Sequence, residues 1–204
     1  EQLKRREDWL ARAPGLHIGD ATIFQAIPAL RPSNELASDL DGRLKEEGYF
    51  QLGHDWGQDM NLMAGTVRRF SADGIPPVFA FLFDEFWAPF HALDTLLGGL
   101  LGRYAMLPDF WVCNVDPQKG DAGWKPHRDQ GHYALRPDGA PLSLPAWIPL
   151  SDANPLNSCM YVVPANMDPT YGTPRDGEHR VELAAVRALP VKPGEFLAWN
   201  QAIL

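Results

Sequence analysis

Apolar positions in the first half of the chain recur at helical spacing. Asn34-Glu35 opens a segment in which Leu36, Leu40 and Leu44 fall on one face of a helix, and Gly48 ends it. Tyr49-Phe50-Gln51-Leu52 then reads as a short strand. A second helix is predicted from about Gln58 to Phe70, and Pro76-Pro77 breaks the chain after it. A long helix is expected over 78–101, with Pro89 kinking or dividing it near Phe86. Near Arg103 the pattern changes. Short β-prone runs at 110–115, 146–150, 160–163, 183–189 and 195–200 stand between clusters of Pro, Gly, Asp and Asn. Many short strands with frequent turns suggest an all-β barrel or a double-sheet jelly roll. The expected architecture is α+β, one domain over 1–204. Residues 1–102 form a mainly helical part, packed on a jelly-roll core at 103–204.

Composition narrows the function classes. The chain has 204 residues, 45% of them hydrophobic, as in an ordinary globular protein. Its net charge of −8 repels polyanions, which argues against nucleic acid and anionic membrane as partners. The longest apolar run is interrupted by Asp84, Glu85, His91 and Asp94, so it suits an amphipathic helix rather than a membrane span. Cys113 and Cys159 lack a CxxC spacing and sit in apolar runs, so buried free thiols are expected. The charged start and the absence of a disulfide framework make the cytoplasm the expected compartment.

The candidate chemistry centres on Lys125-Pro126-His127-Arg128-Asp129-Gln130. In an extended segment, residues i and i+2 point to the same side, so His127 and Asp129 can aim at one point while Arg128 points away. An imidazole and a carboxylate, joined by a second histidine from a distant strand, make the facial triad of non-haem iron(II) oxygenases. The motif alone is equally compatible with a surface histidine and a turn aspartate.

The sequence downstream adds to it. Trp147-Ile148-Pro149-Leu150-Ser151-Asp152-Ala153, then Asn157-Ser158-Cys159-Met160, then Val162-Val163-Pro164 follow in order. Val191-Lys192-Pro193-Gly194-Glu195-Phe196-Leu197-Ala198-Trp199 closes the series. This string, with the opening Glu46-Glu47-Gly48-Tyr49-Phe50-Gln51-Leu52, resembles the phytanoyl-CoA dioxygenase family over roughly residues 35–204. Two departures stand out: Ser158 replaces a usual Gly, and Ala165-Asn166-Met167 replaces the usual Gly-Ser-His.

The resemblance implies a double-stranded β-helix (jelly-roll, cupin-like) core. It also implies iron(II) as cofactor, 2-oxoglutarate as co-substrate, and hydroxylation of a small organic molecule by a monomer. His127 and Asp129 become two iron ligands. Asn114 would hydrogen-bond 2-oxoglutarate or cap a strand end, and Trp147 would line the co-substrate pocket or pack in the core. Trp111, Trp124 and Trp199 are assigned to core or rim. The family's distal iron-binding histidine comes just after the strand that begins at Glu195. That ligand, and the basic residue gripping 2-oxoglutarate, are therefore expected beyond Leu204, with the jelly roll incomplete before them. His179 is the internal substitute to consider, His132 suits a surface or substrate-facing role, and His17, His54 and His91 fall in the helical part. The loop from Asn166 to Glu178 is expected to rim the pocket mouth. The rival readings are a non-catalytic jelly-roll protein that binds a small molecule, and a cupin-type enzyme with another metal.

Overall fold

The computed structural model describes residues 5–121, 123–178 and 181–204. The helices are α1 (Arg6–Arg12), α2 (Thr22–Ala26), α3 (Asn34–Glu46), α4 (Met60–Ala72), α5 (Asp84–Ala92) and α6 (Asp94–Leu101). The strands are β1 (Tyr49–Gly53), β2 (Ala146–Trp147), β3 (Met160–Val162), β4 (Arg187–Leu189) and β5 (Glu195–Trp199). The chain divides into two compact units that interleave in sequence. The first comprises 1–30, 55–95 and 105–114, and the second comprises 31–54, 96–104 and 115–204.

The first unit is helical and held by aromatic side chains. The Asp59 carboxylate caps α4 by accepting from the Leu62 N–H at 3.0 Å, satisfying one of the donors a helix start leaves unpaired. Met63, Val67 and Phe70 recur on one face of α4 and are buried. Trp9 meets Phe70 edge-on at 5.8 Å and stacks on Phe79 at 5.2 Å.

The expected long helix over 78–101 is instead three pieces: a 3-10 turn at Pro77–Leu82, then α5, then α6. The breaks fall at Phe83 and Leu93, and Pro89 lies inside α5 rather than dividing it near Phe86. The reason is tertiary. Phe83 is extended (φ −100°, ψ 139°), which frees the Asp84 N–H to donate to the His17 carbonyl at 2.8 Å. The Asp84 and Glu85 carboxylates accept in return from the backbone N–H groups of Asp20 and His17.

The run 110–115 forms no strand. Phe110 is instead taken up by an aromatic cluster, 4.4 Å from Trp87 and 5.2 Å from Phe81 between ring centroids. Trp111 is exposed, as is Cys113, whereas Cys159 is buried as expected.

In the second unit Ser33 caps α3 by accepting from Leu36 N–H, one residue before the expected opening. Gly48 ends α3 in the left-handed region (φ 88°). A Cβ there would lie 3.0 Å from Ile203 Cδ1 and 3.3 Å from Asn200 Nδ2, so glycine is required by the turn and by the close approach.

β1, β5 and β2 form a three-stranded antiparallel sheet with β5 central, and β3 pairs antiparallel with β4. β5 is buried on both faces. Phe196 meets Phe50 edge-on at 5.8 Å on one side. On the other, Leu197 joins Tyr49, Val162, Leu189, Val191 and Ile203 in a core that draws on both sheets. Full burial of each such side chain contributes about 1.5–3 kcal/mol.

The strands are shorter than the sequence runs. β2 stops after two residues because Pro145 and Pro149, which have no N–H to donate, bracket it. The run 183–189 begins as a 3-10 turn and pairs only from Arg187. The α+β class and two packed antiparallel sheets are thus present.

Candidate metal centre

His127, Arg128 and Asp129 lie outside any strand. The alternation expected of an extended segment is nevertheless realised. His127 Nε2 and Asp129 Oδ1 converge to 3.4 Å, with the two side chains 51% and 33% exposed. The side chain between them, Arg128, is turned inward and only 3% exposed.

The orientation of the imidazole is fixed from behind. His127 Nδ1 lies 2.7 Å from the Lys125 carbonyl oxygen. A carbonyl only accepts, so Nδ1 carries a hydrogen, and Nε2 is the nitrogen turned to the carboxylate oxygen. A cation between the two, a proton or a metal ion, satisfies both. Donors each about 2.1 Å from one ion at right angles stand about 3 Å apart. The pair therefore fits two neighbouring positions on a metal, and a histidine whose other nitrogen donates to a backbone carbonyl is the usual metal-ligand arrangement.

The other oxygen of Asp129 is held by a residue assigned only to core or rim by sequence. Trp199 Nε1 on β5 donates to Asp129 Oδ2 at 3.0 Å. The register explains how. Tyr49 pairs with Trp199, and Trp147 pairs with Leu197, so Tyr49, Trp147, Leu197 and Trp199 share one sheet face. Trp147 and Trp199 are half-buried and pack on the same apolar core. The sequence signal for Trp199 was its parity with Leu197 on the last strand.

Arg128 is the second group that sequence reasoning passed over. Its guanidinium donates to the Asp176 and Ala202 carbonyls, to the Asp168 carboxylate and to the Thr170 hydroxyl. Asp168 accepts in addition from Thr170 N–H and Oγ1. The segment 166–178, expected as a pocket rim, therefore has an inner part in which Asp168 and Thr170 are buried. The signal available was Asp168-Pro169-Thr170, a local turn in which an aspartate binds the backbone two residues on.

His132 does not face open solvent alone. Its backbone N–H and its ring Nδ1 both meet Asp176 Oδ2, the ring contact at 2.9 Å. Burial on its own would raise the Asp176 carboxyl. The N–H groups of His132, with the charges of His132 and Arg128, outweigh burial and hold it below the ordinary value. Gly131 is required beside it, since a Cβ there would fall 2.3 Å from Asp176 Oδ2.

Asn114 is exposed and stands in no strand; it belongs to the first unit, and His127 and Asp129 belong to the second. His17 pairs with Glu85, and His91 meets Phe24 edge-on at 5.8 Å, both in the helical unit. His54 belongs to the second unit instead, just past β1. His179 lies outside the described residues. Among the described residues, no three His, Cys, Asp or Glu side chains converge on one metal-sized site. No helix among them is long and apolar enough to cross a membrane.

A family model described as Phytanoyl-CoA dioxygenase (PhyH) matches residues 45–204. Searches of the curated proteins and of the solved structures find no match.

Proposed function

The chain belongs to the phytanoyl-CoA dioxygenase family, whose members are typically iron(II)- and 2-oxoglutarate-dependent, and on that footing we propose that it hydroxylates a small organic substrate. The single observation that carries this to particular residues is the convergence of His127 Nε2 and Asp129 Oδ1 at 3.4 Å. His127 and Asp129 would hold the metal, with a third donor from outside the described residues, in a core of the jelly-roll kind.

When bound, iron(II) with 2-oxoglutarate and dioxygen supplies the oxidising power that replaces a substrate C–H by C–OH. The chain's own residues do the rest. The Lys125 carbonyl accepts from His127 Nδ1 and orients the ring so that Nε2 faces Asp129. Trp199 keeps one oxygen of Asp129 engaged and leaves the other facing His127. Trp147 and Trp199 pack on the apolar core behind the sheet face they share, and Trp199 reaches from it to Asp129. Asp129 keeps the full carboxylate ligand, which favours oxygenation over halogenation. The acidic chain argues for a substrate without phosphate groups. A monomer in the cytoplasm is the proposed assembly and compartment.

The test is anaerobic addition of iron(II) and 2-oxoglutarate to the full-length protein. A visible charge-transfer band is expected, and it should be lost in His127→Ala and Asp129→Ala variants that remain folded. Under air the unsubstituted protein should convert 2-oxoglutarate to succinate. No band in the unsubstituted protein would sink the reading and favour a jelly-roll module that binds a small molecule without chemistry.

A further inference from the structure

The segment carrying His127 and Asp129 has no β-ladder to hold it, yet its two exposed side chains meet. Something else must fix it. Three links join it to the turn that follows β5. The backbone N–H groups of Gln130 and Gly131 both donate to the Gln201 carbonyl, at 3.0 and 3.1 Å, and Arg128 Nη1 donates to the Ala202 carbonyl at 2.7 Å. That turn is itself anchored. The Asn200 side chain, fully buried, donates to the Leu44 carbonyl at the end of α3 and to the Tyr171 hydroxyl, and its oxygen accepts from Ala202 N–H.

Arg128 uses every nitrogen. Nε donates to the Asp176 carbonyl at 3.0 Å, Nη1 to Ala202, and Nη2 to Asp168 Oδ2 at 2.5 Å and Thr170 Oγ1 at 3.0 Å. The Asp168 side chain is 1% exposed, so charge is matched by charge out of water. A planar guanidinium with donors in three directions sets position and rotation together, which an ammonium cannot do.

We infer that Arg128 is a positioning residue for the metal centre. Its guanidinium clamps the His127–Asp129 segment to the turn Asn200–Ala202 and to the segment Asp168–Asp176, and the spacing of the two ligand side chains depends on that clamp. This rests on the proposed metal-binding role of His127 and Asp129. The clamp itself stands on contacts that involve neither ligand side chain.

The experiment uses the full-length protein and three variants: Arg128→Gln, Arg128→Lys and Asp168→Asn. Arg175→Gln, which removes an exposed surface ion pair with Glu178, is the control. Two quantities are read: the dissociation constant for Mn(II), and amide hydrogen exchange at Gln130 and Gly131. Mn(II) binding should weaken about 10–100-fold in Arg128→Gln, the range seen when support behind a metal ligand is removed. It should weaken less in Arg128→Lys and Asp168→Asn. Protection at Gln130 and Gly131 should fall by about tenfold or more, while amides of α4 stay unchanged and the control matches the unsubstituted protein.

Unchanged affinity and unchanged protection in Arg128→Gln would overturn the proposal. So would a uniform loss of protection along the chain in the two milder variants, which would mark the network as general scaffolding. Should the unsubstituted protein bind no Mn(II), the oxygenase reading falls and exchange alone decides. Selective loss at 130–131 would then uphold the clamp, and its absence would overturn it.

Discussion

Each of the two units is held internally by different physics. In the helical unit, Trp9, Met63, Val67, Phe70 and Phe83 bury one apolar face after another, and the ring pairs repeat the same kind of contact many times. Loss of one contact is shared among its neighbours. In the β-rich unit the ladders are two to five residues long. Long stretches between them are fixed by a few buried polar groups: Arg128, Asp168, Thr170 and Asn200. The Arg128 side chain bonds four partners and Asn200 three, and Asp168 and Thr170 bond each other as well as Arg128. Apolar packing degrades by degrees, whereas a buried charge left without its partner costs its whole desolvation.

This contrast predicts unequal responses to substitution. Arg128→Met should be the most damaging change. It leaves the Asp168 carboxylate and the Ala202 carbonyl buried without their donor, at a cost of about 3–5 kcal/mol by urea unfolding. A loss below about 1 kcal/mol would erase the contrast. Val67→Ala in the helical unit removes two methyl-sized groups from a 4% exposed site. It should cost about 2 kcal/mol with an unchanged denaturant slope, because neighbouring side chains share the gap.

Ser158 offers a change of the opposite sign. It is the one non-glycine residue with positive φ (72°) among those described, and it stands where the family usually has Gly. Left-handed backbone costs a side-chain-bearing residue about 1–2 kcal/mol, part of which glycine gives back in entropy. Ser158→Gly should therefore raise stability by about 0.5–1 kcal/mol, seen as a higher urea midpoint. A lower midpoint would mean the serine hydroxyl does more than the backbone argument allows.

The smallest effects are in pH, and they separate the units by sign. His17 is raised above 6.5 by its hydrogen bond to Glu85, against the burial that lowers it. Its contribution is present below 6.5 and fades as pH rises through the raised value, so the helical unit weakens slightly toward alkaline pH. Asp176 is held below 3.8, so its contribution is present above that value. It is lost as pH falls through the depressed one, and the β-rich unit weakens in acid. Hydrogen exchange along the chain at pH 5 and pH 8 should show α5 less protected at pH 8, with Gly131 and His132 unchanged.

How much of this was legible in the residues differs between the units for the same reason. Helix α3 and strand β1 are found within a residue or two of where spacing puts them, since a periodic face depends only on neighbours in sequence. The long helix over 78–101 was not, because its break at Phe83 is fixed by contacts of Asp84 and Glu85 with His17 and Asp20, more than sixty residues away. At the candidate site, the shared side of His127 and Asp129 was readable, and so was the opposite side for Arg128, though not its burial. What received Arg128 was not, because Asp168, Thr170 and Ala202 carry no mark in sequence that they share a space with it. Trp199 was assigned to core or rim, and the strand register gave it a partner in Asp129 as well.

The sequence by itself determined the family, the elements α3, β1 and α4, and the shared side of His127 and Asp129. These follow from local periodicity and motif order. Only the tertiary structure decided what holds those two side chains in place. The segment bearing them has no ladder of its own, and its position comes from hydrogen bonds to residues forty to seventy-four positions away. Contacts at that separation depend on how the whole chain closes, and no local pattern records them.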